Sequence, residues 1–186
     1  MRVILASKSP RRKELLKQLF SEFDIISADC DESLPVGMHP SLGVALLAKR
    51  KGEAVLDMTN PNDLIISSDT LVELDGVALG KPSDKSEAVA MLTSLSGRTH
   101  NVHTGVAVHY NGKCLYETAT TEVTFKALTR EEIEEYVESG EPLDKAGAYG
   151  IQGGAGKFVS HIMGDFDTVV GLSMTLTERL VSEVIK

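Results

Sequence analysis

Short apolar segments alternate along this chain with segments whose apolar residues recur every three or four positions. Residues 3–6, 23–28 and 64–74 have the apolar character of buried strands, whereas residues 10–20 and 42–56 have the spacing of amphipathic helices. Strands and helices that alternate in this way form a sheet whose faces are covered by helices. The pattern therefore predicts an α/β fold with helices flanking the sheet.

Two hairpins interrupt the alternation. Asp75-Gly76 and Asn111-Gly112 each separate two strand-like segments, and these dipeptides favour the type I′ turn that joins antiparallel strands. The second hairpin pairs residues 100–110 with residues 113–125, and residues 158–163 form a further strand. We therefore predict a mixed, twisted sheet rather than a purely parallel one, although an α/β or α+β label depends on how the strands pair.

Helix starts are marked by residues that cap the free backbone N–H groups. Ser9 precedes Pro10 at the first helical position, an arrangement typical of a helix N-terminus. Capping-box spacing occurs at two pairs, Asp84 with Glu87 and Thr129 with Glu132. A last amphipathic segment over residues 172–185 predicts a C-terminal helix.

The composition is that of one globular domain, which we expect to span residues 1–186. With 42% hydrophobic and 25% charged residues, the sequence excludes a disordered tail or a fibre. No apolar run approaches the roughly 18 residues that a membrane helix needs, and no signal peptide is recognisable. Two cysteines form no disulfide framework, so we expect a cytoplasmic protein with no membrane partner.

Charge is distributed unevenly along the chain. The net charge of -8 disfavours nucleic acid as a partner, because it repels a polyphosphate backbone. Residues 1–20 nevertheless carry six cationic side chains against Glu14 alone. This asymmetry indicates a local pocket for a small anion.

The segment Ser7-Lys8-Ser9-Pro10-Arg11-Arg12 places hydroxyl and guanidinium groups at the start of a predicted helix. Free N–H groups and the positive end of the helix dipole make such a start a phosphate site, and arginine offers phosphate two hydrogen bonds at once. A plain N-cap with solvated cations is the alternative. The two cations oppose the helix dipole unless an anion binds, which favours the phosphate site.

Further candidates follow the predicted strands. Asp69, next to Thr70, ends an apolar strand and could bind a cation or orient a water molecule, but an isolated Asp there commonly caps a turn. Lys81 lies in a tight loop after the first hairpin, and Lys51 lies on a predicted helix. For each lysine taken alone, a solvated surface position is the simpler interpretation.

Residues 144–153 form a small, glycine-rich segment with one amide side chain, Gln152. Small residues allow close approach by a backbone or a flat ligand. The Gln152 amide can donate and accept together, which matches the imide edge of uracil or thymine. A tight turn with a satisfied amide explains the segment equally well.

Five of these segments occur in an order that resembles the Maf family of nucleoside triphosphate pyrophosphatases. The resemblance extends from Val3 to Leu172, and separated motifs in a fixed order are more specific than any one of them. They are Leu5-Ala6-Ser7-Lys8-Ser9-Pro10-Arg11-Arg12, Ser68-Asp69-Thr70-Leu71-Val72, Leu79-Gly80-Lys81-Pro82, Leu95-Ser96-Gly97-Arg98-Thr99-His100 and residues 144–153.

The resemblance implies an activity and an architecture. The activity is hydrolysis of a nucleoside triphosphate to the monophosphate and pyrophosphate with Mg²⁺ or Mn²⁺. The architecture is a two-lobed, inosine-triphosphatase-like α/β fold with a central cleft, often as a homodimer. Residues 145–152 resemble the branch that acts on dTTP and UTP. A non-catalytic, nucleotide-binding regulator of cell division or septum formation is the alternative.

The resemblance also implies roles for individual residues. Asp69 resembles the general base and, with Glu32, the metal-binding acids. Arg11, Thr70 and Gln152 resemble the residues that tune substrate choice. The phosphate-binding set is expected to consist of Ser7, Arg12, Lys51 and Lys81.

Overall fold

The computed structural model describes residues 1–186, and its internal contacts divide them into two compact units. Unit one comprises residues 1–70, 104–119 and 171–186, and unit two comprises residues 71–103 and 120–170. The two units match the two predicted lobes. The central cleft and the single domain over residues 1–186 stay predictions.

Seven strands form one mixed sheet in the order β2-β1-β3-β5-β6-β7, with β4 paired to β3. Their bounds are β1 Val3–Leu5, β2 Asp24–Ile25, β3 Leu64–Leu74, β4 Val77–Leu79, β5 Thr99–Tyr110, β6 Lys113–Phe125 and β7 Val159–Met163. Strand β1 pairs in parallel with β2 and β3, so that Ile4 stands opposite Asp24 on one side and Ile65 on the other. Strands β4 and β7 pair antiparallel with β3 and β6, which confirms the mixed sheet.

Six α-helices accompany the sheet: α1 Pro10–Leu16, α2 Pro40–Glu53, α3 Lys85–Leu95, α4 Arg130–Glu138, α5 Phe166–Val170 and α6 Met174–Val184. Short 3-10 helices occupy Leu56–Met58, Glu141–Asp144, Ala146–Ala148 and Gly154–Phe158. None of the helices combines the length and the apolar content needed to cross a membrane. The five-residue helix α5 was not predicted, because one and a half turns carry no measurable periodicity.

Most local signals form as predicted. Ser9 caps α1, and Thr129 with Glu132 forms the complete capping box of α4. The capping box predicted for Asp84 and Glu87 forms only in its Asp84 half. The Asp84 side chain accepts from the Glu87 N–H, but the Glu87 carboxylate accepts from the backbone N–H and hydroxyl of Ser83 instead.

Helix α2 lies against the sheet within unit one because the sequence permits a close approach. A Cβ added to Gly105 of β5 would stand 2.8 Å from the Ala45 Cα and overlap the Val44 carbonyl, so only glycine fits. The Ser67 hydroxyl of β3 donates to the Ala48 carbonyl at 2.7 Å. These contacts fix α2, and with it Lys51, relative to β3 and β5.

Unit two has an apolar core of its own, between the sheet and helices α3 and α4. Its aromatic rings meet edge to face, with centroids 4.8 Å apart for Phe125 and Tyr149 and 5.3 Å apart for Tyr136 and Phe158. Buried residues from the 3-10 segments, including Ala148 and Ala155, belong to the same cluster. The glycine-rich segment is therefore packed on a core and is not a loose surface loop.

Candidate active site

The guanidinium of Arg12 is held in place on three sides within unit one. Its Nε donates to the Gly171 carbonyl at 2.8 Å, and its two terminal nitrogens donate to the Ser7 hydroxyl and the Thr70 hydroxyl, each at 3.3 Å. Ser9 caps the same helix by accepting from the Arg12 N–H. The start of α1 therefore presents an oriented cation beside Thr70 in the middle of β3.

Burial makes the position of Arg12 unfavourable for a positive charge. Burial lowers the pKa of Arg12, and the positive charge of Arg11 lowers it further, although Asp69 and Glu32 oppose the shift. The Arg11 side chain is half-buried and makes no hydrogen bond or ion pair within the chain. Because a bound anion would relieve the repulsion between the two arginines, the site is electrostatically prepared for phosphate.

Hydroxyl groups extend the Arg12 network into the sheet. The Thr70 hydroxyl lies 2.9 Å from the hydroxyl of Thr104 on β5. The Gly171 carbonyl, which accepts from Arg12, also accepts from the Ser68 hydroxyl at 2.8 Å. Two strands and the segment before α6 thus converge on Arg12 and Thr70.

Lys51 joins two carboxylates, one of them on Asp69, which lies within β3 and not at the end of a strand as the sequence predicted. Its Nζ lies 2.9 Å from Oε1 of Glu32 and 2.5 Å from Oδ1 of Asp69. Burial alone would lower the pKa of Lys51, but the two carboxylates outweigh it and the pKa is raised. Lys51 is therefore a charged group in a polar cluster, and the interpretation of this residue as a solvated surface lysine is wrong.

The pair of acids suits a divalent cation that is completed by substrate. No group of three or more His, Cys, Asp or Glu side chains could hold a metal on its own. Glu32 and Asp69 nevertheless converge on one cationic atom, and their oxygens are hard donors. Mg²⁺ is typically bound through one or two carboxylates together with substrate phosphates and water, which this donor set fits.

Two further candidates lie in unit two. Lys81 is exposed in the loop after β4, and Gln152 is exposed with no hydrogen bond to its amide from the chain. The Gly147 N–H donates to the Gly80 carbonyl at 3.0 Å, which joins the two segments that carry these side chains. No group of the chain bonds to the Gln152 amide, so the amide is accessible to a ligand.

Comparison with known proteins identifies the family of this chain. Residues 2–184 match the Maf family, described as Maf-like protein. The chain belongs to the Maf family. It is 48% identical over 183 residues to a protein of Bacillus anthracis named dTTP/UTP pyrophosphatase, with 98% of this chain and 94% of that protein covered.

A second Maf relative and one solved structure extend the comparison. A protein of Shewanella denitrificans, also named dTTP/UTP pyrophosphatase, is 47% identical over 190 residues, covering 98% of this chain and 96% of that protein. The structure of the Staphylococcus aureus Ham1 protein matches with a TM-score of 0.51 at 16% identity, covering 67% of this chain and 72% of that one. The predicted Maf membership and the predicted fold class are confirmed.

The structure adds residues to the Maf site that the sequence did not single out. Thr104 is fully buried and touches Thr70. Alternate residues of a strand lie on one face, so Thr104 shares a face with Val102 and Val106. A hydroxyl on this otherwise apolar face is the feature of the sequence that could have indicated Thr104. Gly171 takes part through its carbonyl, and no side-chain pattern marks a backbone acceptor.

Proposed function

We propose that this chain hydrolyses dTTP and UTP to the nucleoside monophosphate and pyrophosphate. The names of the Bacillus anthracis and Shewanella denitrificans relatives support the substrate class. The observation that carries the proposal is the position of Asp69, which pairs with Lys51 and directly precedes Thr70, the residue bonded by Arg12. A carboxylate among oriented cations is the equipment that phosphoryl transfer requires.

In this proposal the triphosphate binds at the start of α1. Arg12 is oriented by its bonds to Ser7 and Thr70, and Arg11 adds a second, half-buried guanidinium. Together with Lys51 and Lys81 they neutralise phosphate charge. Because Arg12 is already oriented, little side-chain entropy is lost when the anion arrives.

Asp69 accepts the proton of a water molecule whose oxygen attacks the α-phosphorus. The bond from this phosphorus to the bridging oxygen breaks, and pyrophosphate leaves with the electron pair. The monophosphate keeps the new oxygen, and the proton on Asp69 returns to solvent. Lys51 keeps Asp69 in position before the substrate binds.

Glu32 and Asp69 are the residues proposed to hold Mg²⁺ or Mn²⁺ with the substrate phosphates. When bound, the ion supplies charge neutralisation at the phosphates and lowers the pKa of a coordinated water. Gln152 is proposed to read the base, because its exposed amide can pair with the adjacent carbonyl and N–H of a uracil or thymine imide.

We also propose the cytoplasm as the compartment, in keeping with two free cysteines, and a homodimer as the assembly, on the family resemblance. The net charge of -8 supports a small nucleotide rather than a nucleic acid as the partner. Sedimentation of the purified chain tests the assembly. A single species with the mass of one chain would contradict the homodimer.

The experiment for the activity is a substrate panel. Purified protein is incubated with dTTP, UTP, CTP, GTP and ATP, with Mg²⁺ or Mn²⁺, and released pyrophosphate is measured. We expect dTTP and UTP to be the best substrates and EDTA to stop the reaction. Absence of pyrophosphate from every nucleotide would contradict the proposal and would leave a binding role.

A further inference from the structure

The glycines on either side of Gln152 leave space for one side chain of unit two, that of Glu141. A Cβ added to Gly153 would stand 2.5 Å from the Glu141 carboxyl carbon and overlap its oxygens, and one added to Gly150 would stand 3.2 Å from Glu141 Oε1. A Cβ added to Gly154 would stand 3.5 Å from Glu141 Oε2. Because these glycines have no side chain, the Glu141 carboxylate can contact the backbone on both sides of Gln152.

Hydrogen bonds complete this arrangement. Glu141 Oε2 accepts from the Gly154 N–H at 3.0 Å, and Oε1 accepts from the Tyr136 hydroxyl at 3.0 Å. The Tyr136 hydroxyl in turn accepts from the Gly150 N–H at 3.2 Å. Two amides, one two residues before Gln152 and one two residues after it, are therefore tied to a single carboxylate.

Tyr136 and Glu141, which hold the turn around Gln152, are themselves held in place within unit two. Tyr136 is buried on α4 against Phe158, and burial raises the pKa of its phenol, so it remains a hydrogen-bond donor at neutral pH. The backbone carbonyl of Glu141 accepts from the Lys145 ammonium at 2.9 Å. Glu141 is thereby held from its main chain while its carboxylate holds the turn.

Gln152 itself has no such support, since its amide is exposed and unbonded. Its position depends on the backbone turn from Gly150 to Gly154. We propose that Glu141, acting with Tyr136, is a positioning residue that orients Gln152 and thereby sets the choice of base. This inference rests on the proposed function, in which Gln152 reads the pyrimidine.

The test is Glu141→Gln, with Glu135→Gln as the matched control on the exposed side of α4. The amide keeps the size of Glu141 but replaces one acceptor oxygen by a donor, so one of its two donor partners loses its bond. We expect the ratio of kcat/KM for dTTP to that for GTP to fall about tenfold, mainly through a higher KM for dTTP. Glu135→Gln should match the wild type.

A double-mutant comparison separates positioning from a general structural role. In a Gln152→Ala background, Glu141→Gln should leave the dTTP-to-GTP ratio unchanged, because the group that it orients is gone. Tyr136→Phe, which keeps the packed ring, provides a second variant should Glu141→Gln fold poorly, and we expect the same direction of change from it. Thermal unfolding is measured for every variant.

The outcomes are distinct. A fall in selectivity that disappears in the Gln152→Ala background supports the inference. An active wild type, with Glu141→Gln or Tyr136→Phe lowering only the melting temperature, overturns it and leaves the proposed function intact. A wild type that releases no pyrophosphate from any nucleotide overturns the proposed function, and the inference with it.

Discussion

The ammonium nitrogen of Lys51 lies 2.5 Å from Oδ1 of Asp69, with 21% and 14% of the two side chains exposed. Glu32 approaches the same nitrogen from the loop before α2. Two like-charged carboxylates that converge in this way need a cation between them, because removing one partner of a sheltered ion pair leaves an uncompensated charge. Before substrate binds, Lys51 is that cation.

Replacing Lys51 should therefore have opposite effects on metal and on turnover. In Lys51→Met, Glu32 and Asp69 lose their internal counter-ion, so we expect tighter Mn²⁺ binding without nucleotide and a kcat/KM for dTTP at least about tenfold lower. Calorimetry and pyrophosphate release measure the two quantities. Lys49→Met, on the same helix, is the control. Weaker Mn²⁺ binding in Lys51→Met would show that the ammonium and the metal do not share ligands.

Thr104 supplies a second prediction, through its contact with Thr70. Thr104→Val keeps the shape of the side chain but removes the hydroxyl that faces Thr70 Oγ1 at 2.9 Å. We expect the KM for dTTP to rise about fivefold with kcat little changed, because a lost hydrogen bond to a positioned group costs roughly 1 kcal/mol. Thr104→Ser should restore the wild-type KM. Equal KM values in the valine and serine variants would rule out the hydroxyl contact as the cause.

His100 makes the stability of the fold depend on pH. It is buried in unit two, its Nε2 pairs with the Tyr149 hydroxyl at 2.8 Å, and its Nδ1 has no partner. Burial lowers the pKa of His100 from 6.5 to about 4. Between these values the unfolded chain binds a proton that the folded chain excludes, so the free energy of unfolding falls as the pH drops.

The expected loss from His100 is about 3 kcal/mol between pH 6.5 and 4, at about 1.4 kcal/mol per pH unit. Urea unfolding followed by circular dichroism at several pH values measures it. Carboxylates also titrate near pH 4, so the comparison is with His100→Gln, whose unfolding free energy should fall less steeply. Parallel pH curves for the two proteins would exclude His100 as the source.

The sequence predicts those parts of the fold whose causes are local. The Asp75-Gly76 and Asn111-Gly112 turns form as expected because positive φ angles, 53° at Asp75 and 48° at Asn111, suit these residue types. Predictions fail where a neighbour competes or an element is short. Ser83 draws the Glu87 carboxylate away from the predicted capping box, and β2 shrinks to Asp24–Ile25.

In the candidate site, too, local features are visible in the sequence and long-range contacts are not. The cationic start of α1, proposed to bind phosphate, is visible in six consecutive residues. The pairing of Lys51 with Asp69 joins residues 18 positions apart and depends on how α2 packs on β3. The small residues around Gln152 indicate a close approach, but only the fold shows that Glu141 makes it. Spacing along a chain does not encode such contacts, because tertiary packing creates them.

The most direct measurement is pyrophosphate release from dTTP by Asp69→Asn, with dTTP binding measured by calorimetry on the same preparation. Asparagine keeps the shape of the side chain but cannot take up the proton, so we predict turnover at least about 100-fold below the wild type and dTTP affinity largely retained. Asp57→Asn, an exposed aspartate of unit one, should behave as the wild type. Full turnover by Asp69→Asn would contradict the account.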